Sequence, residues 1–283
     1  MKELRGRVAV ITGAGSGIGA GLARVCAAEG MRVALADIDS NSVERVAAEV
    51  RAGGGEAIAM PVDVRDAKAV ASFAEHTYDA YRACHLLINN AGVVVYRPVS
   101  ELELADWRWV LSVNLDGVIH GLHAFLPRMR AQGGPAHIVN TASMAGLIPL
   151  PNAGLAAYAA SKYAVVAISE TLRLELAPEG IGVTVVCPGG VQTRINESER
   201  NRPSDLRQAT AAPAPDMDQL RETSEGLERR DNFLTPEQAA ERILTAVRED
   251  ELYAITHSEW LPLVRQRHAA IEGAFARAAA REG

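Results

Sequence analysis

Short runs of apolar, mostly β-branched residues alternate along the chain with longer stretches whose apolar residues recur at helical spacing. The short runs predict strands at 8–11, 32–37, 56–62, 86–89, 137–141, 182–187 and 252–255. The longer stretches predict helices at 19–29, 40–52, 67–80, 104–130, 158–176, 236–249 and 260–281. Strict alternation is typical of a parallel sheet covered on both faces. With the right-handed crossover rule it predicts an α/β, doubly wound Rossmann fold, a seven-stranded parallel sheet with helices on both faces.

The chain shows no internal repeat, so we predict a single Rossmann-type domain over residues 1–283. Residues 195–234 break the rhythm, because they are polar, charged and interrupted by prolines. So long a connection is either functional or an inert loop, and we expect a substrate lid. Its apolar residues, which could form short helices, are Leu206, Met217, Leu220 and Leu227. We expect residues 257–283 to form a C-terminal helical extension.

The composition restricts the partners of the protein. The formal net charge of -6 gives no support to nucleic-acid binding. No apolar run reaches membrane-spanning length, and none precedes the first strand as a signal peptide would. We therefore expect a cytoplasmic protein with no membrane or nucleic-acid partner. Cys26, Cys84 and Cys187 lie in apolar stretches without metal-ligand spacing, which predicts buried thiols and no metal site.

A glycine-rich turn, Thr12-Gly13-Ala14-Gly15-Ser16-Gly17-Ile18-Gly19, joins the first predicted strand to the first predicted helix. Backbone N–H groups at the start of a helix lack intrahelical partners, so such a turn can hold a phosphate. Glycines let the turn close and let a pyrophosphate approach the main chain. On these residues alone, a tight turn with no ligand is the alternative.

The second predicted strand ends in Asp37, whose carboxylate can accept hydrogen bonds from both hydroxyls of an adenosine ribose. A 2′-phosphate would face this carboxylate at a cost of roughly 4 kcal/mol per charge pair before screening. Neither Ser16 nor Ile38 supplies a compensating base, so NAD is favoured over NADP. The alternative role for Asp37 is a helix cap. Asp39 or Ser40 fits that role better, because each lies directly before the helix.

Tyr158 and Lys162 lie four residues apart in a predicted helix, which places both on one face. A free phenol has a pKa of about 10, so a tyrosine acting as general acid and base near neutral pH needs its anion stabilised. A lysine cation and a positively charged nicotinamide can each supply part of that stabilisation. Taken alone, the pair is more typical of a core tyrosine beside a lysine that extends to solvent.

Further polar residues follow the predicted strands. Ser143 comes after the fifth strand and can hydrogen-bond a substrate carbonyl or hydroxyl. The segment Asn89-Asn90-Ala91-Gly92 ends the fourth strand and can pack beside a cofactor. Asn114 lies among apolar residues of the long helix and needs partners if buried. It is either a satisfied structural amide or the anchor of a water that links Lys162 to solvent.

The order of these motifs resembles the short-chain dehydrogenase/reductase family, in its simple single-domain NAD(P)-dependent oxidoreductase branch. The resemblance covers residues 5–194 and the strand at 252–256. Its matching segments are Thr12-Gly13-x-x-x-Gly17-Ile18-Gly19, Asp63-Val64, Asn89-Asn90-Ala91-Gly92, Asn114, Ser143, Tyr158-x-x-x-Lys162 and Pro188-Gly189-x-Val191-x-Thr193. Each segment is weak evidence alone, and their shared order makes the match specific.

The resemblance implies hydride transfer between NAD and the carbinol carbon of a secondary alcohol or ketone. It implies that Tyr158 exchanges a proton with the substrate oxygen, that Ser143 polarises that oxygen, and that Asn114 holds a relay water. Lys162 would hold the nicotinamide ribose and lower the pKa of Tyr158. The implied catalytic residues are Asn114, Ser143, Tyr158 and Lys162. The implied cofactor-binding residues are Gly13, Ser16, Gly17, Ile18, Gly19, Asp37, Ile38, Asp63, Val64, Asn90, Ala91, Gly92, Thr141, Tyr158, Lys162, Pro188, Gly189, Val191 and Thr193.

The expected substrate is a small, mostly apolar or aromatic alcohol or ketone, because the candidate pocket walls at 93–96, at 147–150 and at Ile195 are largely apolar. Arg97 and Arg194 could meet a carboxylate, and we expect both on the solvated surface instead. The segment between Ser143 and Tyr158 is longer than the family usually shows, so we expect it to bulge into the substrate mouth. The chain also looks similar to family members that oxidise benzylic alcohols of lignin-type aromatics.

The resemblance further implies an assembly, because the helices at 104–130 and 158–176 commonly build a dimer face in the family. We expect a homotetramer, with a dimer as the alternative. The alternative functions are a dinucleotide-binding sensor without turnover, an NADP-preferring ketone reductase, and an epimerase or dehydratase of the family's extended branch. Sensors usually lose the tyrosine or the lysine that this chain retains. The extended branch usually has a longer C-terminal substrate domain, which is not evident here.

Overall fold

The computed structural model describes residues 1–150, 154–207 and 233–282, and its centre is a seven-stranded sheet. The strands are β1 (Val8–Thr12), β2 (Arg32–Asp37), β3 (Ala57–Pro61), β4 (Leu86–Asn89), β5 (Ala136–Thr141), β6 (Ile181–Cys187) and β7 (Tyr253–Ile255). They lie in the order β3-β2-β1-β4-β5-β6-β7, and all neighbouring pairs are parallel. The predicted doubly wound fold is confirmed, and the strand ends differ from the predicted ends by no more than one residue.

The strand order reverses at β1, which lies between β2 and β4. Val10 of β1 is paired with Ala34 on one side and with Leu87 on the other. The connection after β1 leads to one half of the sheet, and the connection after β3 returns to the other half. At such a reversal the loops diverge beyond the carboxyl ends of the strands and leave a crevice for a ligand.

Helices cover both faces of the sheet. They are α1 (Gly17–Ala28), α2 (Ser40–Ala52), α3 (Ala67–Tyr81), α4 (Leu104–Leu111), α5 (Gly117–Gln132), α6 (Ala156–Leu176), α7 (Pro236–Glu249) and α8 (Leu261–Glu282). On one face α1, α2 and α7 bury an apolar cluster that includes Leu22, Val46 and Ile243. On the other face α3, α5 and α6 bury a second cluster that includes Phe73, Phe125 and Leu176. Apolar side chains buried on both faces explain the nearly continuous apolar strands.

The prediction of one continuous α-helix at 104–130 is wrong in the middle of that range. A π-helical turn, Ser112–Asp116, joins α4 to α5. This turn contains the buried Asn114, whose amide finds partners on two other segments. The hydrogen-bond partners of Asn114 are distant in sequence, so the apolar periodicity of the segment carries no sign of them or of the turn.

The predicted lid is described at its two ends. Residues 195–207 contain the 3-10 turns Ile195–Asn201 and Ser204–Leu206. At the far end Leu234 forms a parallel bridge with Val191, and its carbonyl oxygen accepts the N–H of Gln192 at 2.9 Å. The two ends of the segment therefore lie close together beside the sheet. The predicted short helices around Met217, Leu220 and Leu227 lie outside the described residues. No residue of α8, which falls in the predicted C-terminal extension, is buried.

The three cysteines are free and buried, as the sequence predicts. Within residues 1–150, 154–207 and 233–282, no group of three or more histidine, cysteine or acidic side chains is placed to hold a metal ion. Among the helices that the structure describes, none is both long enough and apolar enough to cross a membrane.

Candidate active site

The glycine-rich turn leaves the start of α1 accessible. Ser16 precedes the helix in an extended conformation, and its side chain makes no capping hydrogen bond within the described structure. Gly17 has φ +52°, in the left-handed region that favours glycine, and a Cβ there would lie 2.9 Å from the side chain of Thr193. A Cβ at Gly19 would clash with the carbonyl oxygen of Gly13. Glycines thus close the turn and keep its N–H groups within reach of a phosphate.

Asp37 lies beside this turn at the end of β2. Its Oδ2 accepts the N–H of Gly15 at 2.9 Å, and its Oδ1 accepts the N–H of Asp39 at 3.0 Å. Each carboxylate oxygen can accept a further hydrogen bond, so both can serve a ribose hydroxyl. The cap of α2 is Asp39, which accepts the N–H groups of Asn41 and Ser42, as predicted.

Asp63 and Val64 follow β3 at the same end of the cleft. The Asp63 carboxylate forms a two-pronged ion pair with Arg65, with 2.7 Å between Oδ2 and Nη2. Both side chains of the pair are partly exposed. Arg65 is not among the predicted site residues, because a basic residue two positions after an acid carries no signal of its own.

Hydrogen bonds tie the ends of three central strands together. The N–H groups of Asn90 and Ala91 donate to Thr12 Oγ1 at 3.0 and 3.2 Å. Asn90 Nδ2 donates to the carbonyl oxygen of Thr12 at 3.1 Å, and Thr141 Oγ1 donates to Asn90 Oδ1 at 3.4 Å. The floor of the cleft is therefore held by β1, β4 and β5 together.

Ser143, Tyr158 and Lys162 meet on the wall beyond this floor. The Oγ of Ser143 accepts the N–H of Ala145 at 3.1 Å, which leaves its O–H able to donate. Lys162 Nζ donates to the carbonyl oxygen of Thr141 at 2.8 Å and lies 5.5 Å from the centre of the Tyr158 ring. The first turns of α6 thus present a phenol and an ammonium to the same space as a serine hydroxyl.

The pKa values of the two ionisable groups on this wall, Tyr158 and Lys162, are shifted in opposite directions. Burial raises the pKa of the Tyr158 phenol, and the Ser143 hydroxyl lowers it in part. Burial lowers the pKa of the Lys162 ammonium to about 8, and the nearby Cys187 acts in the opposite direction. Burial disfavours the charged form of each group, and both pKa values still lie above 7, so at neutral pH the phenol is protonated and the ammonium is largely charged.

Asn114 holds two segments together. Its Oδ1 accepts the N–H of Val93 at 2.8 Å, and its Nδ2 donates to the Val93 carbonyl oxygen at 2.9 Å and to Ser161 Oγ at 3.1 Å. The side chain is fully buried. These contacts fit the satisfied structural amide, and the relay water stays a prediction. A Cβ at Gly92 would lie 3.5 Å from both Asn114 Oδ1 and Lys162 Nζ, so glycine keeps this space open.

One cleft of about 500 Å³ joins these groups, a volume typical of small-molecule sites. The predicted site residues that line it are Gly13, Ser16, Gly17, Ile18, Asp37, Ile38, Asp63, Val64, Asn90, Ala91, Gly92, Thr141, Ser143, Tyr158, Lys162, Pro188, Gly189, Val191 and Thr193. Gly19 and Asn114 do not line the cleft. The structure therefore brings together residues that the sequence distributes over seven segments.

The substrate end of the cleft differs in part from the prediction. Most of the expected wall is present, namely Val93, Val94, Tyr96, Leu150 and Ile195. The predicted wall at 147–149 is wrong, because Leu147 packs against a core cluster and Ile148 is buried. Of the expected bulge, 151–153 lies outside the described residues. The wall also contains Trp109, Leu155, Phe233 and Trp260, which carry no motif and come from distant segments.

Arg97 is buried, so its expected position on the solvated surface is wrong. Its Nη1 lies 3.6 Å from Asp106 Oδ2 and 3.7 Å from Glu103 Oε1. The two carboxylates therefore balance the positive charge of Arg97, whose side chain does not line the cleft. Arg194 has an exposed side chain that pairs with Glu197 at 2.8 Å, and it lines the rim of the cleft.

The first part of the predicted lid is docked on α4 by a buried ion pair. Arg202 Nη2 lies 2.6 Å from Asp106 Oδ1, with side chains that are only 3% and 0% exposed. The same segment also reaches the loop after β4, where Ser198 Oγ accepts the N–H of Val94 at 3.1 Å. The cleft is therefore bordered by a segment that is fixed at two points.

Known proteins resemble this chain over most of its length. A family model described as short chain dehydrogenase matches residues 7–204. The chain is 34% identical to the C alpha-dehydrogenase of Sphingobium sp. strain SYK-6 over 260 residues, which are 92% of this chain and 83% of that protein. It is 40% identical to the 1-deoxy-11-beta-hydroxypentalenate dehydrogenase of Streptomyces exfoliatus over 193 residues, which are 68% of this chain and 70% of that protein. A crystal structure of a short chain dehydrogenase/reductase from Burkholderia phymatum in complex with NAD aligns over 96% of both chains, with a TM-score of 0.88 and 39% identity.

Proposed function

Because the chain belongs to the short-chain dehydrogenase family, we propose that it is an NAD-dependent oxidoreductase that interconverts a secondary alcohol and a ketone. One observation carries this proposal. Ser143, Tyr158 and Lys162 line the same cleft as Asp37 and the glycine-rich turn. An acid–base pair and a polarising hydroxyl thus share one space with groups suited to a dinucleotide.

The residues present fit a nicotinamide dinucleotide. The open start of α1 suits a pyrophosphate, and both oxygens of Asp37 can accept from a ribose diol. The Lys162 ammonium has N–H donors besides the one that bonds to the Thr141 carbonyl oxygen. Gly92, which has no side chain, leaves the space beside this ammonium open. When bound, the cofactor supplies the hydride acceptor or donor.

Tyr158 moves the proton in this proposal. In reduction its O–H protonates the carbonyl oxygen, and in oxidation its phenolate accepts the proton of the hydroxyl. Ser143 holds and polarises that oxygen with its own O–H. Because burial raises the pKa of Tyr158, the phenolate needs stabilisation, and lowering this pKa by ~3 units requires about 4 kcal/mol. The Lys162 ammonium supplies part of this as a neighbouring positive charge.

The proposed substrate is apolar or aromatic, because apolar and aromatic side chains form much of the wall beyond Ser143. Val94, Leu150, Leu155 and Trp260 belong to this wall. The dehydrogenase names of the two curated relatives support a hydroxyl group as the reacting group. The NAD complex of the similar structure supports the cofactor.

The test is the absorbance of the reduced nicotinamide, with NAD and NADP run separately against aliphatic, benzylic and steroidal secondary alcohols. NAD-linked turnover of at least one alcohol is the expected result. Cofactor binding is measured in parallel by calorimetry. A protein that binds NAD tightly and oxidises none of the alcohols, nor reduces the matching ketones, would contradict the proposal and favour the sensor.

We also propose that residues 195–234 cover the substrate as part of a single domain. The two ends of the segment support this, because Ile195 lines the cleft and Leu234 pairs with Val191 at its rim. Hydrogen exchange tests the idea. Exchange within 195–234 should slow when cofactor and an alcohol are bound together, and unchanged exchange would argue for an inert loop.

We further propose a cytoplasmic homotetramer. Exposed apolar residues on the two helices expected at the dimer face support the assembly, since Ile119 of α5 and Leu174 of α6 are exposed. The free buried thiols support a reducing compartment. Light scattering at micromolar concentration should give the tetramer mass, and a monomer peak would contradict the assembly.

A further inference from the structure

The substrate half of the cleft carries a second phenol that the proposed mechanism does not use. Tyr96 lines the same cleft as Tyr158 and is partly buried. Its neighbours along the chain, Val94 and Val95, are buried apolar residues. A polar group on a largely apolar wall fixes the orientation of a ligand more strongly than the wall itself does.

A hydrogen bond to Asn196, in the proposed lid segment, orients the phenol of Tyr96. Its O–H donates to Oδ1 of Asn196 at 2.8 Å, across 100 positions of the chain. The segment that carries Asn196 is itself held, because Ser198 Oγ accepts the N–H of Val94 and Arg202 forms its buried ion pair on α4. Packing of distant segments therefore sets the direction of the phenol.

The chemistry of Tyr96 suits hydrogen bonding rather than proton transfer. Burial raises the pKa of Tyr96, and the neighbouring Tyr158 raises it further, so the phenol stays neutral near pH 7. Its hydrogen is committed to Asn196, and the lone pairs of its oxygen are what it offers to the cleft. The natural partner of an acceptor is a donor on the substrate.

We propose that Tyr96 is a specificity-determining residue that accepts a hydrogen bond from a second hydroxyl group of the substrate. The preferred substrates are then apolar or aromatic secondary alcohols with another hydroxyl beyond the reacting carbon. A simple alcohol with the same body leaves this acceptor without a donor, which costs binding free energy. This inference rests on the proposed function, because Tyr158 fixes where the reacting oxygen lies.

A matched pair of substrates tests the assignment: an aryl propanol oxidised at its benzylic carbon, and the propanediol with one additional terminal hydroxyl. The specificity ratio is kcat/KM for the diol divided by kcat/KM for the monoalcohol. We expect this ratio to fall about tenfold in Tyr96→Phe, because one hydrogen bond is lost. An unchanged ratio in Tyr96→Phe would overturn the assignment.

The matched control is Tyr163→Phe, which removes the same hydroxyl from the same kind of side chain. Tyr163 lies on α6 with the Arg267 guanidinium over its ring, and it is not among the residues that line the cleft. Its variant should keep the specificity ratio of the unmodified protein. A ratio that falls equally in both variants would assign the effect to general stability and overturn the role of Tyr96.

Binding measurements separate this inference from the proposed function. Trp109 and Trp260 line the cleft, so tryptophan fluorescence reports alcohol binding in the presence of NAD without turnover. Tyr158→Phe should bind the diol more tightly than the monoalcohol, and the Tyr96→Phe, Tyr158→Phe double variant should lose that preference. If this holds while no alcohol is oxidised by the unmodified protein, the proposed function fails, and Tyr96 is still supported as the acceptor for a ligand hydroxyl. Equal affinities in both variants overturn the assignment whatever the activity.

Discussion

The Lys162 ammonium nitrogen lies 5.5 Å from the centre of the Tyr158 ring and donates to the Thr141 carbonyl oxygen at 2.8 Å. The lysine is thus anchored at the end of β5 rather than extended to solvent. Burial disfavours the charged form of each group, which raises the pKa of Tyr158 and lowers the pKa of Lys162. The lysine extended to solvent, which the spacing alone would favour, is therefore not observed within the described structure.

Replacement of Tyr158 by Phe should abolish turnover. A positioned acid and base contributes about 10²–10⁴-fold to such reactions, so we expect kcat to fall by at least about a hundredfold. The affinity for NAD, measured by calorimetry, should stay within about twofold of the unmodified protein, since a proton-transfer group adds little to ground-state cofactor binding. Tyr163→Phe on the same helix is the control and should keep its kcat. Retention of most activity in Tyr158→Phe would contradict the acid–base assignment.

Replacement of Asp37 by Asn should relax the discrimination against NADP. The change removes a carboxylate that would repel a 2′-phosphate, and Arg200, whose charge interacts with that of Asp37, lines the same cleft. We expect kcat/KM for NADP relative to NAD to rise about tenfold or more. Asp39→Asn is the control, because asparagine also caps helices and position 39 is the cap of α2. The same cofactor ratio in the two variants would remove Asp37 from the explanation of the preference.

Replacement of Asp106 by Asn should strongly destabilise the docked segment. It removes the charge that faces Arg202 at 2.6 Å in a buried site where the guanidinium also stacks on Trp109. Removing one partner of a buried ion pair typically costs about 3–5 kcal/mol. We expect a loss of this size in the free energy of unfolding, measured by urea denaturation. Glu199→Gln affects a more exposed partner of Arg202 and should cost no more than about 1 kcal/mol. Equal small losses in the two variants would refute the importance of the buried pair.

His137 should make the protein less stable in acid. Its ring is buried, with Nε2 2.8 Å from Thr184 Oγ1, and burial lowers the pKa of His137 to about 3. The unfolded chain, with an ordinary histidine pKa of about 6.5, binds a proton first. Stability is therefore full above that value and is lost progressively as pH falls towards the folded pKa, at up to ~1.4 kcal/mol per pH unit.

Urea unfolding from neutral pH down through this window checks the effect. His137→Gln should show a shallower decline than the unmodified protein, because one proton-linked group is gone. His76→Gln, at an exposed position of α3, is the control and should keep the original slope. Identical slopes for His137→Gln and the unmodified protein would show that His137 does not carry the acid sensitivity.

Local patterns in the sequence were sufficient to predict the sheet and the residues at the proposed cofactor end of the cleft. The strands are short runs of adjacent apolar residues, and the glycine-rich turn and Asp37 lie at the ends of β1 and β2. In a parallel sheet the carboxyl ends of all strands share one edge, so residues at strand ends converge whatever their separation in the chain. Ser143, Thr141 and Asn90 could therefore be assigned to one site before any contact was known.

Only the tertiary structure decided which residues form the substrate end of the cleft and which charged side chains are buried. Tyr96 contacts Asn196 across 100 positions, and Asp106 contacts Arg202 across 96. No local pattern encodes such a pair, because each partner alone looks like an ordinary polar residue of a helix or loop. Arg97 looked solvated for the same reason. Its environment depends on which acids the packing of α4 brings beside it, and the residues next to Arg97 in the sequence do not encode that packing.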